Sequence, residues 1–338
     1  MRPLTRPRLQ QPRVVVGHGL EWKTSPGGWG TKNGLSPPRR CRCLGTGPCM
    51  KLTMLFSTPH ELTAQLKTLS SSSLQTMQQA LQQLADPNSD LDRLVAIIRV
   101  ERSLAAKVVN LANSAAYGGE PCDTIEAAVQ RLGYRIVQDA ILALMSVETF
   151  AKPLRLYGCR PHLLWRHALL TACAMRELAR LNDEDTQRAY ALGLLHNIGM
   201  VAIDQWVLKQ EPTTTFEYLA WPEEWRPAET RMLGFDQAAA TAAMLQALGF
   251  SPIMVDAAKY QFHPDGARVG HQLAALLHVA RWVRQQAGTL PKPVELPDRE
   301  TLQMLGLKAA DLLSITDKVV TEVDALWISL GLRQLQAA

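Results

Sequence analysis

The chain has 338 residues, of which 47% are hydrophobic, 20% charged and 6% aromatic. This composition is typical of one large or two smaller globular domains and excludes collagen-like, mucin-like and wholly disordered chains. The formal net charge is +5, but the first 50 residues hold nine of the 36 Lys and Arg residues and one of the 31 acidic residues. The remainder carries a net charge of −3, so overall charge does not support nucleic-acid binding by the folded part.

Residues 1–50 are predicted to be a disordered basic extension, because they hold seven of the 20 prolines and eight of the 21 glycines and have no periodic apolar face. Two alternatives stay open. Trp22 and Trp29 lie among the basic residues, as in a nucleic-acid-binding arm, and Met50 or Met54 could be the true start of translation. We expect any nucleic-acid binding to be non-specific, through this extension, and to weaken steeply with salt.

The cysteines and the apolar segments indicate a cytoplasmic protein. Three cysteines lie in the extension and three beyond it, without the spacing of a disulfide framework or of a common zinc site. The amino terminus has no apolar core of a secretory signal. The longest uncharged run, 189–203, has 15 residues, which is shorter than the roughly 20 that a membrane-spanning helix needs, and therefore predicts a buried helix.

From residue 58 onward the pattern is helical, and strand signals are nearly absent. A capping box occupies 58–61, and Leu74, Met77, Leu81 and Leu84 then recur on one helical face. Further helices are predicted over 104–112, 126–132, 135–150, 162–181, 186–195, 199–209, 222–233, 235–248, 252–260 and 272–286.

The predicted fold class is all-α with two lobes. The break at 153–161 separates an amino-terminal helical subdomain, 54–150, from a second helical bundle, 160–287. Together they form one domain over 54–287. A linker at 290–293 then leads into a helical appendage, 288–338, whose final helix has an apolar stripe from Leu312 to Leu330.

Four motifs follow one another in the chain: L-A-D-P at 84–87, L-A-N-S-A-A-Y-G at 111–118, I-E-A-A-V-Q-R-L-G at 125–133 and G-L-L-H-N-I-G at 193–199. In this order they resemble the HDOD domain, a family of output-domain relatives of the HD metal-dependent phosphohydrolases. The motif at 111–118 is the most distinctive, since a generic helix has no reason to end in this way. The resemblance covers about residues 69–286 and implies a degenerate HD-type bundle.

The resemblance also locates a vestigial pocket. HD enzymes hold divalent metals with a His, an adjacent His-Asp pair and a later Asp, and the metal activates a water against a phosphoester. The corresponding positions here are His167, the pair His196 and Asn197, and Arg281. An Asn brings no negative charge, and a guanidinium adds positive charge where a metal requires compensation. The resemblance therefore implies no bound metal, no cofactor and no catalytic residue.

Other interpretations of these residues stay open at this point. His196 is expected to be a buried histidine bonded to a backbone carbonyl, and His167 to pack in the core. His263 follows Gln261 in a region that resembles a Y-H-H segment of the family, and could line the same pocket. If the helix register differs, the carboxylates at 204, 256 or 265 could replace the missing ligands.

The predicted function is a non-catalytic bacterial regulatory module that acts through protein contacts, since the family resemblance implies signalling partners of two-component or cyclic-di-nucleotide pathways. One alternative is a metal-dependent phosphohydrolase of the HD type. Another is a helix-turn-helix DNA-binding regulator, because 90–114 has the proportions of that motif, with Arg102 and Lys107 available to phosphates. The second helix of this motif is so apolar that we expect it to belong to the core.

Overall fold

The computed structural model describes residues 14–16, 102–114, 117–150, 152–160, 162–216, 222–287 and 296–329. Within these ranges the chain is mostly helical, which confirms the all-α prediction. The helices predicted between 58 and 101 lie outside the described residues. The helices are α1 (Arg102–Ala112), α2 (Ile125–Leu132), α3 (Tyr134–Phe150), α4 (Leu163–Leu181), α5 (Thr186–Leu195), α6 (Ile198–Gln210), α7 (Arg226–Leu233), α8 (Gln237–Ala247), α9 (Pro252–Lys259), α10 (His271–Gln286), α11 (Arg299–Met304) and α12 (Ala309–Ser329).

Most helix ends lie within two residues of the predicted ones. The predicted helix 222–233 instead divides into a 3-10 turn, Pro222–Trp225, and α7. Pro227 lies in the first turn of α7, where a residue without an N–H donor loses no helical hydrogen bond. The short helix α11 was not predicted. Its N-cap, Asp298, accepts a hydrogen bond from the backbone of Thr301 at 2.8 Å.

Two strands of three residues each were not predicted. The strand β1 (Val14–Val16) pairs antiparallel with β2 (Thr214–Phe216), with Val15 opposite Thr215. Residues 14–16 belong to the predicted extension, and the rest of residues 1–50 lies outside the described residues. Both strands are rich in β-branched residues, which favour the extended backbone, but three residues are too few to show the alternation that identifies a strand in a sequence.

The core is built around α4, which packs against α5, α10 and α12. Every residue of α4 from His167 to Ala179 is buried. Gly193 lets α5 approach α4 closely, because a Cβ atom at this position would lie 2.6 Å from the Cα atom of Ala172. The α5–α6 segment, Thr186–Gln210, is long and apolar enough to span a membrane, but 89% of its most apolar window is buried inside the protein, as in a core helix.

A fully buried carboxyl group joins α7 to α8 and to the loop before α4. Glu229 accepts hydrogen bonds from the hydroxyl of Tyr157 at 2.9 Å and from the backbone N–H of Gln237 at 2.7 Å. Burial in the apolar core raises the pKa of Glu229 to about 8, although both hydrogen bonds favour the ionised form. Glu229 is therefore mostly protonated in the folded protein at neutral pH.

The raised pKa of Glu229 predicts that the protein loses stability as the pH rises. Between pH 4.5 and about 8 the folded state keeps a proton that the unfolded state releases. Each pH unit in this window therefore costs up to about 1.4 kcal/mol. We expect Glu229→Gln to reduce the fall in thermal midpoint between pH 6 and 8, measured by circular dichroism. Exposed Glu300→Gln is the control, and an equal slope in the two variants would contradict the prediction.

Candidate functional site

The His196-Asn197 pair lies at the junction of α5 and α6, and both side chains are buried. The Nδ1 atom of His196 lies 2.6 Å from the carbonyl oxygen of Gly193, three residues earlier. This is the backbone contact that we expected for a buried histidine. Asn197 precedes the first residue of α6, and its buried amide nitrogen has no hydrogen-bond partner among the residues that the structure describes.

Side chains from two distant parts of the chain hold the backbone of this junction. The carbonyl oxygen of His196 accepts hydrogen bonds from Gln261 Nε2 at 3.2 Å and from Thr241 Oγ1 at 3.0 Å. The hydroxyl of Thr241 also accepts the backbone N–H of Gly199 at 3.0 Å. The start of α6 is thereby fixed against α8 and against the end of α9.

Arg281 binds the same region from α10. Its Nη1 atom donates a hydrogen bond to the backbone carbonyl of Gln261 at 2.8 Å, and its guanidinium carbon lies 4.0 Å from the ring centre of Phe262. The guanidinium carbon of Arg226 lies 3.9 Å from the same ring centre. Arg226 is paired with Asp236 at 2.7 Å. Two guanidinium groups therefore pack on the ring of Phe262, and a cation close to an aromatic ring is a favourable contact.

The other two predicted positions differ in burial. His167 is buried on α4, where its carbonyl accepts the hydroxyl of Thr171 at 2.8 Å. His263 is exposed, next to Phe262, at the start of a 3-10 turn. The described hydrogen bonds therefore connect His196 to Arg281 through Gln261, which contacts both residues. The exposed His263 lies two residues after Gln261.

The residues of this site do not fit a divalent metal. Such an ion is held by several imidazole nitrogens or carboxylate oxygens. Within the ranges that the structure describes, no group of three or more His, Cys, Asp or Glu side chains is arranged to hold a metal ion. The side chain at the position of the later Asp is the cation Arg281, whose charge opposes that of a metal.

The three carboxylates that could have replaced the missing metal ligands, at 204, 256 and 265, do not lie together with His196 in a ligand set. Asp204 accepts the backbone N–H of Leu156 at 2.8 Å, and burial raises its pKa to about 6. Asp256 accepts three consecutive backbone N–H groups, at 268–270, with distances of 2.7 to 3.0 Å. The side chain of Asp265 is fully exposed. Asp204 and Asp256 therefore hold loops in place, and none of the three completes a ligand set with His196.

The motif at 111–118 has a structural role in this protein. Asn113 donates a hydrogen bond from Nδ2 to the carbonyl of Cys122 and accepts the N–H of Cys122 at Oδ1, each at 2.8 Å. Arg131, from the motif at 125–133, donates to the carbonyl of Ala112 at 3.1 Å and to the carbonyl of Glu120. The two motifs therefore close one loop between α1 and α2.

A buried charge cluster was missed by the sequence analysis. Arg176 on α4 binds Asp139 on α3 at 2.6 Å and also binds Glu322 on α12. Lys318 on α12 binds Glu177 at 2.6 Å. Burial raises the pKa of Asp139 to about 7, although the charge of Arg176 and its hydrogen bond lower it. No local sequence pattern indicates this cluster, because the partners of Arg176 lie 37 and 146 residues away from it.

Comparisons with known proteins agree with this architecture. No curated protein matches the sequence. Three solved structures are similar, each with a TM-score of 0.57: a candidate phosphohydrolase from Shewanella amazonensis (22% identity, 80% of this chain and 97% of that chain), a candidate signal transduction protein from Marinobacter aquaeolei (20%, 83% and 68%) and an HDOD domain protein of unknown function from Geobacter sulfurreducens (19%, 79% and 98%). At these identities the likeness shows the fold alone. The HDOD domain model matches residues 71–264, more than half of the chain, and the protein belongs to the HDOD domain family.

Proposed function

We propose that this HDOD protein is a non-catalytic regulatory module of bacterial signalling that acts in the cytoplasm through contacts with other proteins. The observation that carries the proposal is the placement of Arg281, a buried cation that binds the Gln261 carbonyl and the Phe262 ring. In the HD enzymes the position resembling Arg281 supplies a carboxylate to a metal. Here the same position stabilises the protein itself.

The chemistry of the site supports this proposal. Hydrolysis of a phosphoester by an HD-type mechanism requires a metal-activated water, and in the described part of the chain no group of three or more His, Cys, Asp or Glu side chains is arranged to hold the metal. The hydroxyl of Thr241 and the amide nitrogen of Gln261 bind the carbonyl of His196 at the α5–α6 junction. In this proposal the site around His196 stabilises one conformation of the helical bundle. The contacts with partner proteins are made by the outer surface of the bundle.

The kind of partner is inferred from relatives. A structure with the same fold is named a candidate signal transduction protein, which favours signalling partners for this chain too. The family resemblance points to two-component or cyclic-di-nucleotide pathways. The helix-turn-helix alternative is disfavoured, because Val108, Leu111 and Ala112 on α1 are buried and cannot reach the groove of a nucleic acid.

Metal and activity measurements test the non-catalytic part of the proposal. We expect the purified full chain to carry far less than one equivalent of Fe, Mn or Zn by elemental analysis, because Arg281 repels the ion and Asn197 brings no charge. We also expect no hydrolysis of bis(p-nitrophenyl) phosphate above the buffer rate with added Mn²⁺ or Mg²⁺.

The variants His196→Ala and His271→Ala distinguish a true activity from a contaminant. His271 lies half-buried at the start of α10, outside the pocket. Stoichiometric metal together with turnover that is lost in His196→Ala and kept in His271→Ala would establish the enzyme alternative instead.

A stability measurement tests the role of Arg281. We expect Arg281→Ala to lower the free energy of unfolding by about 2 to 4 kcal/mol, because it leaves a buried carbonyl without its donor and removes a stacked cation. The exposed Arg299→Ala on α11 should change it by less than about 0.5 kcal/mol. Urea denaturation of both variants provides the comparison, and equal midpoints would show that Arg281 does not stabilise the site.

Titration with DNA tests the nucleic-acid alternative. We expect the full chain to bind duplex DNA without sequence preference and to lose this affinity steeply between 50 and 200 mM salt, since the basic residues of 1–50 release counterions. Lys107→Ala should leave the binding unchanged. Sequence-selective binding that Lys107→Ala weakens would favour the helix-turn-helix regulator.

A further inference from the structure

An open cavity of about 670 Å³ lies between α12 and the helices α3, α4 and α5. Its volume is within the range of small-molecule binding sites. It shares no lining residue with the group around His196 and Arg281. The match to the HDOD domain ends at residue 264. The side of the cavity that α12 forms therefore lies outside the matched region.

Three accessible cations converge on this cavity from three different helices. Arg135 on α3 is exposed, the side chain of Arg180 on α4 is 60% exposed, and that of Lys318 on α12 is 55% exposed. Arg135 has no hydrogen bond or close ion pair with any other residue that the structure describes, but its charge acts on Asp139 one turn further along α3 and lowers the pKa of that carboxyl. Arg176 lies deeper, with its side chain 10% exposed, and adds a fourth positive charge.

Three carboxylates also line the cavity, against its four cations, and Arg180 and Lys318 both contact one of them, Glu177, with Arg180 at 3.5 Å. Glu177 is 8% exposed and is bound by Lys318 at 2.6 Å, and Glu322 is bound by Arg176. Burial alone would raise the pKa of Glu177, but the hydrogen bond from Lys318 and the charge of Arg176 hold it below its ordinary value. Among the lining carboxylates of the described chain, Asp317 is the one that is exposed, against three accessible cations.

Two less polar side chains also line the cavity. Tyr117, from the loop that follows α1, and Ile136 on α3 line it, and both are half-buried. Burial and the charge of Glu322 raise the pKa of Tyr117 to about 12, so its hydroxyl stays protonated and is available as a donor. These two side chains offer a contact for the organic part of a ligand.

We propose that this cavity is a binding site for a small molecule that carries a chain of two or more phosphate groups, as in a nucleoside diphosphate. Arg135, Arg180 and Lys318 bind the phosphates, and Tyr117 and Ile136 contact the organic part. Because Lys318 belongs to α12 and Arg180 to α4, the bound molecule bridges the two helices. The site does not depend on the proposed contacts with proteins, and either proposal can fail alone.

Calorimetric titration of the full chain at 150 mM salt tests the site, with inorganic pyrophosphate, ADP and GDP as probes and adenosine as the phosphate-free control. We expect pyrophosphate and at least one of the two nucleotides to bind with one-to-one stoichiometry, and adenosine not to bind. The triple variant Arg135→Gln/Arg180→Gln/Lys318→Gln should weaken binding at least tenfold. The matched triple variant Lys209→Gln/Arg299→Gln/Lys308→Gln removes the same charge from exposed positions outside the cavity and should bind as the unmodified chain does.

A single variant keeps the test valid if the triple variant loosens α12. Arg135→Gln breaks no described hydrogen bond or ion pair and removes only the electrostatic attraction of Arg135 to Asp139, so its thermal midpoint should fall little while its affinity for pyrophosphate falls at least threefold. Absence of binding by pyrophosphate and both nucleotides would overturn the proposal. Equal losses in the two triple variants would also overturn it, since they would show non-specific attraction by charge.

Discussion

The hydrogen bond from the Arg281 guanidinium to the Gln261 carbonyl is the interaction on which the rest of the central site depends. It fixes the backbone of the segment that carries Gln261 and Phe262. Gln261 in turn binds the carbonyl of His196, where α5 ends and α6 begins. A cation at this position therefore links α10 to the α5–α6 junction by two successive hydrogen bonds. A carboxylate could not donate to the same carbonyl, so this linkage requires the substitution that removes the expected metal ligand.

The sequence predicts the helical elements well because their signals are local. The uncharged run at 189–203 and the apolar stripes depend on neighbours within a turn or two, and the helices lie where these patterns place them. The two strands were missed because three residues show no periodicity. The contact between Gln261 and His196 was missed because the residues are 65 positions apart, and no pattern in a single sequence reports such a distance.

The candidate site, like the fold, was predicted from the sequence only in part. The family motifs brought His196, Asn197 and Arg281 together as positions of one pocket, but they did not show that the side chains of Arg281 and Arg226 both pack on the ring of Phe262. The cluster around Arg176 had no motif at all. It depends on α12. In the sequence the charged residues of α12 look like those of any solvent-exposed helix face, but in the folded protein Glu322 binds the buried guanidinium of Arg176.

The paired hydrogen bonds between Asn113 and Cys122 make one side chain act as a short strand partner for the backbone. Only a side-chain amide offers a donor and an acceptor at adjacent positions: an aspartate has two acceptors, and a serine is too short to reach both groups. The pairing also fixes how much chain can connect the two residues. An inserted residue in this loop would turn the backbone of Cys122 away from the amide, so the spacing of the motif is as strictly determined as its asparagine.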